Sequence, residues 1–426
     1  MVKKFLSYIL VLLMSLIVIS CVAEIDPLTG QKIYTILSTE QEIKIGHQVI
    51  PYAINEYEGS YPDKDVQDNI RELGNHLVRV TPRRVDYQFF VLNTSQVNAF
   101  ALPGGPVIIT RGLLDIMQTE NELIGVIAHE LGHINARHHA NHLERSYKIS
   151  ALIGILGITL QDSKHAGAII DLARISTGLL QLKHSREEEH QADELGVRFS
   201  YEGGYNPKGL LSMFEKFKSL SRNNTIEWLS THPLPETRIQ NVRHLIASRY
   251  PDSDRLLKDS SRFHKIKGYI SETKESYEYV EKAKKHIISH DYSKAIQLLD
   301  RAVRSYPQNQ MAYYYRALAY LNLKRYDYSI NDAEKAIQID SLYFNPQLLK
   351  GIALAKIFQW QGCINTLERA KNLIADNPDL YYYLGVSYHE TKNRQKAIDN
   401  LNLALKLSDG KRGWEFDAQQ RLRSLN

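Results

Sequence analysis

The stretch His129-Glu130-Leu131-Gly132-His133 determines how the rest of this 426-residue chain is interpreted. Residues four apart lie on the same face of a helix, so the two histidines at its ends project from one side. Two imidazoles on one helix face are a typical zinc-binding arrangement, and Glu130 between them is placed to take a proton from a water that the metal activates. The alternative is a chance match on a histidine-rich helix, so its partners elsewhere in the chain matter.

A single helix is predicted around this stretch, from Thr119 to about Ser146. Thr119 followed three residues later by Glu122 is a capping-box pattern, and the apolar residues that follow recur at helical spacing. At about 100° per residue, His138 would lie nearly opposite His129 on this helix. We therefore expect His138 not to share the metal.

Carboxylates that can complete a metal site follow in a second helical run, where Ser185 and Glu188 again form a capping-box pattern. Glu189 and Asp193 are four residues apart and so share a helix face. Zinc hydrolases commonly add one carboxylate ligand to a histidine pair, and a second carboxylate often holds a ligating imidazole by its other nitrogen. We predict Glu189 as the ligand and Asp193 as its orienting partner. Without the histidine pair, such a charge-rich helix start would be only a solvated surface.

His232 lies in the segment Ser230 to Arg238, whose prolines predict a rigid loop. One interpretation makes His232 a donor to the oxyanion that forms when water attacks a peptide carbonyl. Equally, a neutral His232 could close the fourth zinc position and keep a resting enzyme inactive. The chain has 16 histidines, so a loop histidine without a role is the plain alternative.

Strand signals precede the metal helix. Residues 87–92 and 107–110 are rich in apolar and aromatic side chains, and glycines and prolines predict a turn between 98–102 and 107–110. Prolines confine the first strand of this hairpin to an edge. Such an edge either pairs with an extended polypeptide substrate or is a plain structural hairpin; the spacing favours neither.

Composition and charge narrow the class of protein. Hydrophobic residues make up 43% and charged residues 24% of the chain, as expected for two or three folded domains. The formal net charge is a modest +5 without any basic block, so no nucleic-acid partner is expected.

The N-terminus reads as an export signal, with Lys3 and Lys4 before an apolar run from Phe5 to Ile19. The run ends in Val18-Ile19-Ser20-Cys21, which resembles a bacterial lipobox and predicts a lipidated Cys21 that anchors the chain to a membrane. Ordinary cleavage nearby or an uncleaved anchor are the alternatives. The other cysteine is Cys363, so the fold must depend on packing and metal rather than on a disulfide.

Two apolar stretches, at 151–160 and 166–182, follow the metal helix and are each too short to span a membrane comfortably. They predict either a helical hairpin over the active site, against a membrane or against a partner, or an ordinary buried helix pair.

Internal repetition is clear after about residue 275, with small residues recurring every 34 positions. The three series are Ala283, Ala317, Gly351 and Gly385; Ala295, Ser329, Cys363 and Ala397; and Ala302, Ala336, Ala370 and Ala404. Small residues let paired helices approach closely, so the pattern predicts tetratricopeptide repeats that bind peptides or protein surfaces on a concave face. The position of Cys363 in one series indicates a buried packing residue rather than a redox group.

These motifs, in this order, resemble the HtpX/CAAX-protease-like zinc metallopeptidases over about residues 38 to 250. The resemblance implies that His129, His133 and Glu189 bind one Zn²⁺ per chain, as in a gluzincin. It also implies Glu130 as the catalytic base, an orienting role for Asp193, and roles near the transition state or as a gate for His232 and Arg238. His190-Gln191 stands where the family often has an acidic residue, a departure that we expect to matter little.

The predicted fold is an α+β zincin-like metallopeptidase domain, mostly helical with a small edge hairpin, followed by an all-α solenoid. The boundaries are a lipoprotein signal peptide at 1–20, a linker at 21–37, the metallopeptidase domain at 38–255, a linker at 256–275, four repeats at 276–411 and a capping helix at 412–426.

The predicted function is a zinc endopeptidase of the periplasm, anchored to the outer membrane and removing misfolded or stalled envelope proteins. The family resemblance implies that the repeats recruit polypeptide substrates or the outer-membrane assembly machinery. One alternative is a repeat-based chaperone or adaptor with a latent or structural zinc site. Another is an integral-membrane protease, which rests on the apolar stretches at 151–182.

Overall fold

The computed structural model describes residues 22–26, 28–147, 166–222 and 226–425. The predicted signal peptide, the predicted lipidation at Cys21 and the apolar run at 151–160 lie outside these residues. In the part described, a mostly helical unit with two small sheets precedes an array of helix pairs. This arrangement confirms the predicted fold class.

The first unit alternates short strands with helices. Its strands are β1 (Val22–Ile25), β2 (Lys32–Thr35), β3 (Gln88–Leu92), β4 (Ala99–Ala101) and β5 (Pro106–Thr110). Its helices are α1 (Thr39–Glu56), α2 (Lys64–Val78), α3 (Arg111–Ile116), α4 (Glu120–Asn135), α5 (His138–Ser146), α6 (Ala166–Leu180), α7 (Arg186–Glu202), α8 (Lys208–Leu220), α9 (Trp228–Thr231) and α10 (Glu236–Arg249).

The segment predicted as a plain linker, 21–37, instead contains a hairpin in which β1 and β2 pair antiparallel. The Gly30 amide donates to the Asp26 carbonyl at 2.8 Å in the turn between the two strands. The Glu24 carboxylate accepts a hydrogen bond from the Thr39 amide at 2.7 Å and pairs with the Arg137 guanidinium. These contacts fasten the hairpin to the domain.

The second sheet has the strand order β3-β5-β4, with β5 parallel to β3 and antiparallel to β4. Strand β4 therefore lies at an edge, as the prolines predict, and it contacts the metal helix α4. All three of its residues are buried, with Phe100 the most exposed at 6%.

The predicted single helix from Thr119 to Ser146 is wrong, because the chain breaks between α4 and α5. Arg137 adopts a left-handed backbone with φ +59°, and its buried guanidinium pairs with Glu42 at 2.6 Å and donates to the Leu37 carbonyl at 2.8 Å. This break redirects the chain and brings His138 next to His133.

The capping box predicted at Thr119 is also absent. The Thr119 hydroxyl donates to Asn121 Oδ1 at 2.6 Å. The Glu122 carboxylate accepts from the Gln118 amide at 2.7 Å and pairs with Lys216 at 2.8 Å. Glu122 therefore binds the amide one residue before Thr119 and a tertiary lysine, and Thr119 makes no side-chain cap.

Helix α6 occupies most of the predicted stretch at 166–182, and its buried face contacts both the first unit and the repeat region. Leu172 and Ile175 pack in one cluster with Ile45 of α1, whereas Ile169 packs in a cluster with Phe344 from the repeat region. No helix in the part of the chain that the structure describes is long and apolar enough to cross a membrane.

The predicted linker at 256–275 is mostly helical, because one 28-residue helix, α11 (Ser261–Ile288), runs from the first unit into the repeats. The Ser260 hydroxyl caps it by accepting from the Phe263 amide at 3.2 Å. Phe263 and Ile270 are buried in the same core cluster as Leu73 and Leu114 of the first unit. The core therefore continues across the predicted boundary.

Antiparallel helix pairs occupy the range predicted for repeats. After α11 come α12 (Tyr292–Ser305), α13 (Gln310–Asn322), α14 (Tyr326–Ile339), α15 (Phe344–Lys356), α16 (Trp360–Ala370), α17 (Pro378–Glu390) and α18 (Arg394–Leu407), with α19 (Glu415–Leu425) as the last helix. Left-handed residues stand between paired helices at the same 34-residue interval: His290, Lys324, Phe358 and Lys392. Cys363 is fully buried, in agreement with its predicted packing role.

Candidate metal centre

Two glycines let the helices that carry the predicted site residues pack very closely. A Cβ placed on Gly132 of α4 would lie 2.8 Å from the Ala192 carbonyl oxygen, and a Cβ on Gly196 of α7 would lie 3.1 Å from the His129 Cα. Contacts this short exclude a side chain at Gly132 unless the backbone shifts. The close approach places the carboxylates of α7 directly beside the histidines of α4.

Four buried donor atoms meet at this helix crossing, from His129, His133, Glu189 and His232. His129 Nε2 lies 3.1 Å from His133 Nε2, 3.4 Å from His232 Nδ1 and 3.7 Å from Glu189 Oε2. Glu189 Oε1 lies 3.6 Å from His133 Nε2 and 2.8 Å from His232 Nδ1. Ligands about 2.0–2.1 Å from a tetrahedral zinc stand roughly 3.3 Å apart. The residues therefore fit a zinc ion.

Asp193 and Arg238 support this group from behind. His129 Nδ1 lies 3.0 Å from Asp193 Oδ1, a contact that leaves Nε2 directed at the other donors. Arg238 binds both oxygens of Asp193, pairs with the Glu189 carboxylate and donates to the Pro233 carbonyl at 2.7 Å. Every nitrogen of the guanidinium is thus engaged within the protein.

Glu130 lies next to the donor group with one oxygen uncommitted. Its Oε1 accepts from Trp228 Nε1 at 3.4 Å and lies 3.7 Å from His232 Nε2. Its Oε2 is buried and has no hydrogen-bond partner among the described residues. A buried carboxylate oxygen without a partner is costly, so it indicates a group held ready for a ligand or a proton.

The pKa values of the three imidazoles shift in different directions. Burial, together with the neighbouring imidazoles, lowers the pKa of His133 and of His232 well below the ordinary value, which keeps both neutral with a free lone pair. For His129, burial opposes protonation, but the hydrogen bond to Asp193 and the charge of Glu189 outweigh it and raise the pKa. Burial also raises the pKa of Glu189, against the opposing charge of Arg238.

All of the side chains predicted for the site converge, and the structure adds others that the sequence reasoning did not select. The added residues are His138, His184, Gln191 and Trp228. His138 Nδ1 lies 2.8 Å from His133 Nδ1, and the His184 ring lies tilted over His133 with centroids 3.9 Å apart. Trp228 stacks on His232 with centroids 4.6 Å apart. A cue for His138 was its position five residues after His133, but recognising it required the break at Arg137.

Comparison with known proteins identifies both parts of the chain. The profile of peptidase family M48 matches residues 60–246, and a tetratricopeptide repeat profile matches residues 282–342. The beta-barrel assembly-enhancing protease of Escherichia coli strain K12 is 27% identical to this chain, over 93% of this chain and 80% of that protein. The protein of the same name from Yersinia pestis is 26% identical, over 90% of this chain and 77% of that protein. Metalloprotease YcaL of Escherichia coli strain K12 is 34% identical over 42% of this chain and 67% of that protein. The chain therefore belongs to peptidase family M48 and carries a C-terminal tetratricopeptide repeat region.

Proposed function

We propose that this chain is a zinc-dependent endopeptidase. The observation that supports this most strongly is the set of four buried donor atoms at tetrahedral spacing, next to a Glu130 oxygen that has no partner. His129, His133 and Glu189 would hold the ion. When bound there, zinc supplies Lewis acidity that polarises a peptide carbonyl and makes water more acidic.

Glu130 is the general base in this proposal. The Trp228 indole N–H fixes one carboxylate oxygen, so the other is oriented to accept a proton from the attacking water. The same carboxyl can then deliver that proton to the leaving amine, as general acid–base catalysis requires.

The position of His232 supports the gate rather than the oxyanion donor in the described state. Its Nδ1 lies among the ligand atoms and would take the fourth position, which substrate hydrolysis needs open. The neutral state of the imidazole suits a ligand and not a cationic donor. The contacts of Arg238 likewise favour a role in holding Asp193 and Glu189 over direct contact with substrate.

The wider role is an envelope protease with polypeptide substrates. The predicted lipobox at Cys21 supports an outer-membrane-anchored periplasmic protein, and the name of the relatives, beta-barrel assembly-enhancing protease, supports substrates connected with β-barrel assembly. The repeat region would recruit these substrates or the assembly machinery. The adaptor with a latent zinc site remains the competing proposal.

Comparison of the mature wild-type chain with Glu130→Gln tests the function. Both proteins should hold one zinc, whereas cleavage of an unfolded outer-membrane polypeptide should fall by about 10²–10⁴-fold in the variant. Glu187→Gln, an exposed glutamate on α7, is the matched control and should cleave normally. Equal cleavage by wild type and Glu130→Gln would refute the assigned base. Zinc binding with no cleavage by the wild type would favour the adaptor.

A further inference from the structure

The two histidines of the metal helix are held from behind by different chemistry. His129 Nδ1 contacts the Asp193 carboxylate, which is itself bound by Arg238. His133 has no carboxylate behind it among the described residues. Its Nδ1 instead faces the Nδ1 of His138, at 2.8 Å, and both rings are buried.

A consistent arrangement of protons follows from these contacts. His133 Nε2 points at the other donor atoms, so a neutral ring with a free Nε2 lone pair must carry its proton on Nδ1. That proton is donated to His138 Nδ1. The neutral His138 ring then carries its own proton on Nε2, which lies 3.1 Å from the side-chain oxygen of Gln191 and donates to it.

We propose that His138 and Gln191 are positioning residues that lock His133 in the tautomer and ring orientation that present Nε2 to the metal. This inference rests on the proposed zinc site and adds to it the two residues that lie behind His133. The relay is the chain of hydrogen bonds from His133 through His138 to Gln191. Gln191 is its final acceptor, and the Gln191 oxygen fixes which nitrogen of His138 accepts from His133.

A second metal ion held by His133, His138 and His184 is the competing use of this cluster. The geometry argues against it. The 2.8 Å between the two Nδ1 atoms is a hydrogen-bond distance, and His133 already presents its Nε2 to the first site. The His184 ring lies over the His133 ring in a tilted contact, with an interplanar angle of 32°, so these two imidazoles are in ring-to-ring contact.

Zinc affinity is the quantity that this relay should control. Removal of the group that orients a ligating histidine typically weakens metal binding by about 10–100-fold. His138→Ala should show a loss of that size. His138→Asn should recover most of it, because the Asn side-chain oxygen can take the place of Nδ1 as acceptor. Gln191→Leu should weaken binding by a smaller factor, and Gln191→Glu, which keeps an acceptor, should not.

The test is a competition titration of zinc against a chromogenic chelator. It uses the full mature chain with Glu130→Gln in every sample, so that self-cleavage cannot interfere. His139→Ala is the matched control: His139 is an adjacent buried imidazole whose ring centroid lies 6.1 Å from that of His133, and its removal should leave zinc affinity unchanged. Thermal unfolding of the metal-free proteins separates lost packing from lost ligand orientation.

The outcomes distinguish this inference from the proposed function. A reference protein that binds no zinc would refute the zinc site itself. Tight binding by the reference protein together with unchanged affinity in His138→Ala would overturn only the positioning role. A finding of two zinc ions per chain, one of which is lost in His138→Ala, would also overturn the positioning role. If His138→Ala does not fold, Gln191→Leu decides, since Gln191 is exposed and its loss should not affect folding; unchanged affinity there overturns the relay.

Discussion

Arg238 and Asp193 form a two-pronged ion pair in the protein interior, with Nε 2.8 Å from Oδ2 and Nη2 2.7 Å from Oδ1. Both residues are at most 5% exposed. Because Arg238 follows the loop of His232 and also pairs with Glu189, it connects that loop to helix α7. The charge lowers the pKa of Asp193 even though burial opposes this, so the carboxylate stays ionised.

Arg238→Met should therefore destabilise the metal-free protein by about 3–5 kcal/mol, because it leaves buried carboxylates without a counter-charge. Urea unfolding with and without zinc measures the loss. Arg243 lies on the same helix as Arg238 and forms an exposed ion pair with Glu215 of α8. Arg243→Met should cost less than about 1 kcal/mol. Equal stability of the Arg238 variant and the wild type would mean that the ion pair contributes nothing net.

Gly132 sets the separation of the metal helix from its partner. Gly132→Ala should push α4 and α7 apart, lower stability by about 1–3 kcal/mol and weaken zinc binding, because the ligands would no longer converge. Gly268→Ala is the control. That glycine lies in α11 with open space around its Cβ position, so alanine there should be neutral or slightly stabilising. Unchanged zinc affinity in Gly132→Ala would contradict the spacing argument.

The sequence predicted the parts of this site that depend on local spacing. Helical spacing fixed the faces that His129, His133 and Glu189 occupy, and the 34-residue interval located the helix pairs. Prediction from the sequence failed where a contact with a distant residue overrides a local rule. Arg137 ends the metal helix because Glu42, nearly a hundred residues earlier, binds its guanidinium. No periodicity contains that information, so the neighbourhood of His138 could not be predicted.

The histidine cluster should make the metal-free protein sensitive to mild acid. Burial lowers the pKa of His138 from 6.5 to about 4, and it also lowers the pKa values of His133, His139 and His232. Between pH 6.5 and about 4 the unfolded chain binds more protons than the folded one, so stability falls as pH falls through this window. His129, whose pKa is raised, contributes in the opposite direction.

Each fully responding histidine should contribute up to about 1.4 kcal/mol per pH unit to this loss. Equilibrium unfolding of the metal-free chain between pH 7 and 4.5 measures the slope. His139→Phe should reduce the slope, whereas His244→Gln, at an exposed position, should leave it unchanged. A slope that does not depend on His139 would show that this ring is protonated without cost.

Helix α11 should be indispensable to the peptidase unit, although the sequence placed a linker there. Phe263, Ile266 and Ile270 are buried in the shared core, and Lys267 Nζ donates to the Leu114 carbonyl at 2.8 Å. Each such apolar side chain contributes about 1.5–3 kcal/mol, so losing the three approaches the whole stability of an ordinary domain.

A chain that ends at Lys258 should therefore aggregate or unfold. A chain that ends at Leu342 keeps α11 and the contact between the Asp340 carboxylate and the Ser60 amide at 2.6 Å, and it should stay folded and bind zinc. Circular dichroism melting and zinc content distinguish the two. If the shorter chain melted cooperatively near the wild-type temperature, the linker prediction would be right and the shared core energetically minor. Because the helix that completes the peptidase core also begins the repeats, we expect the two regions to unfold together.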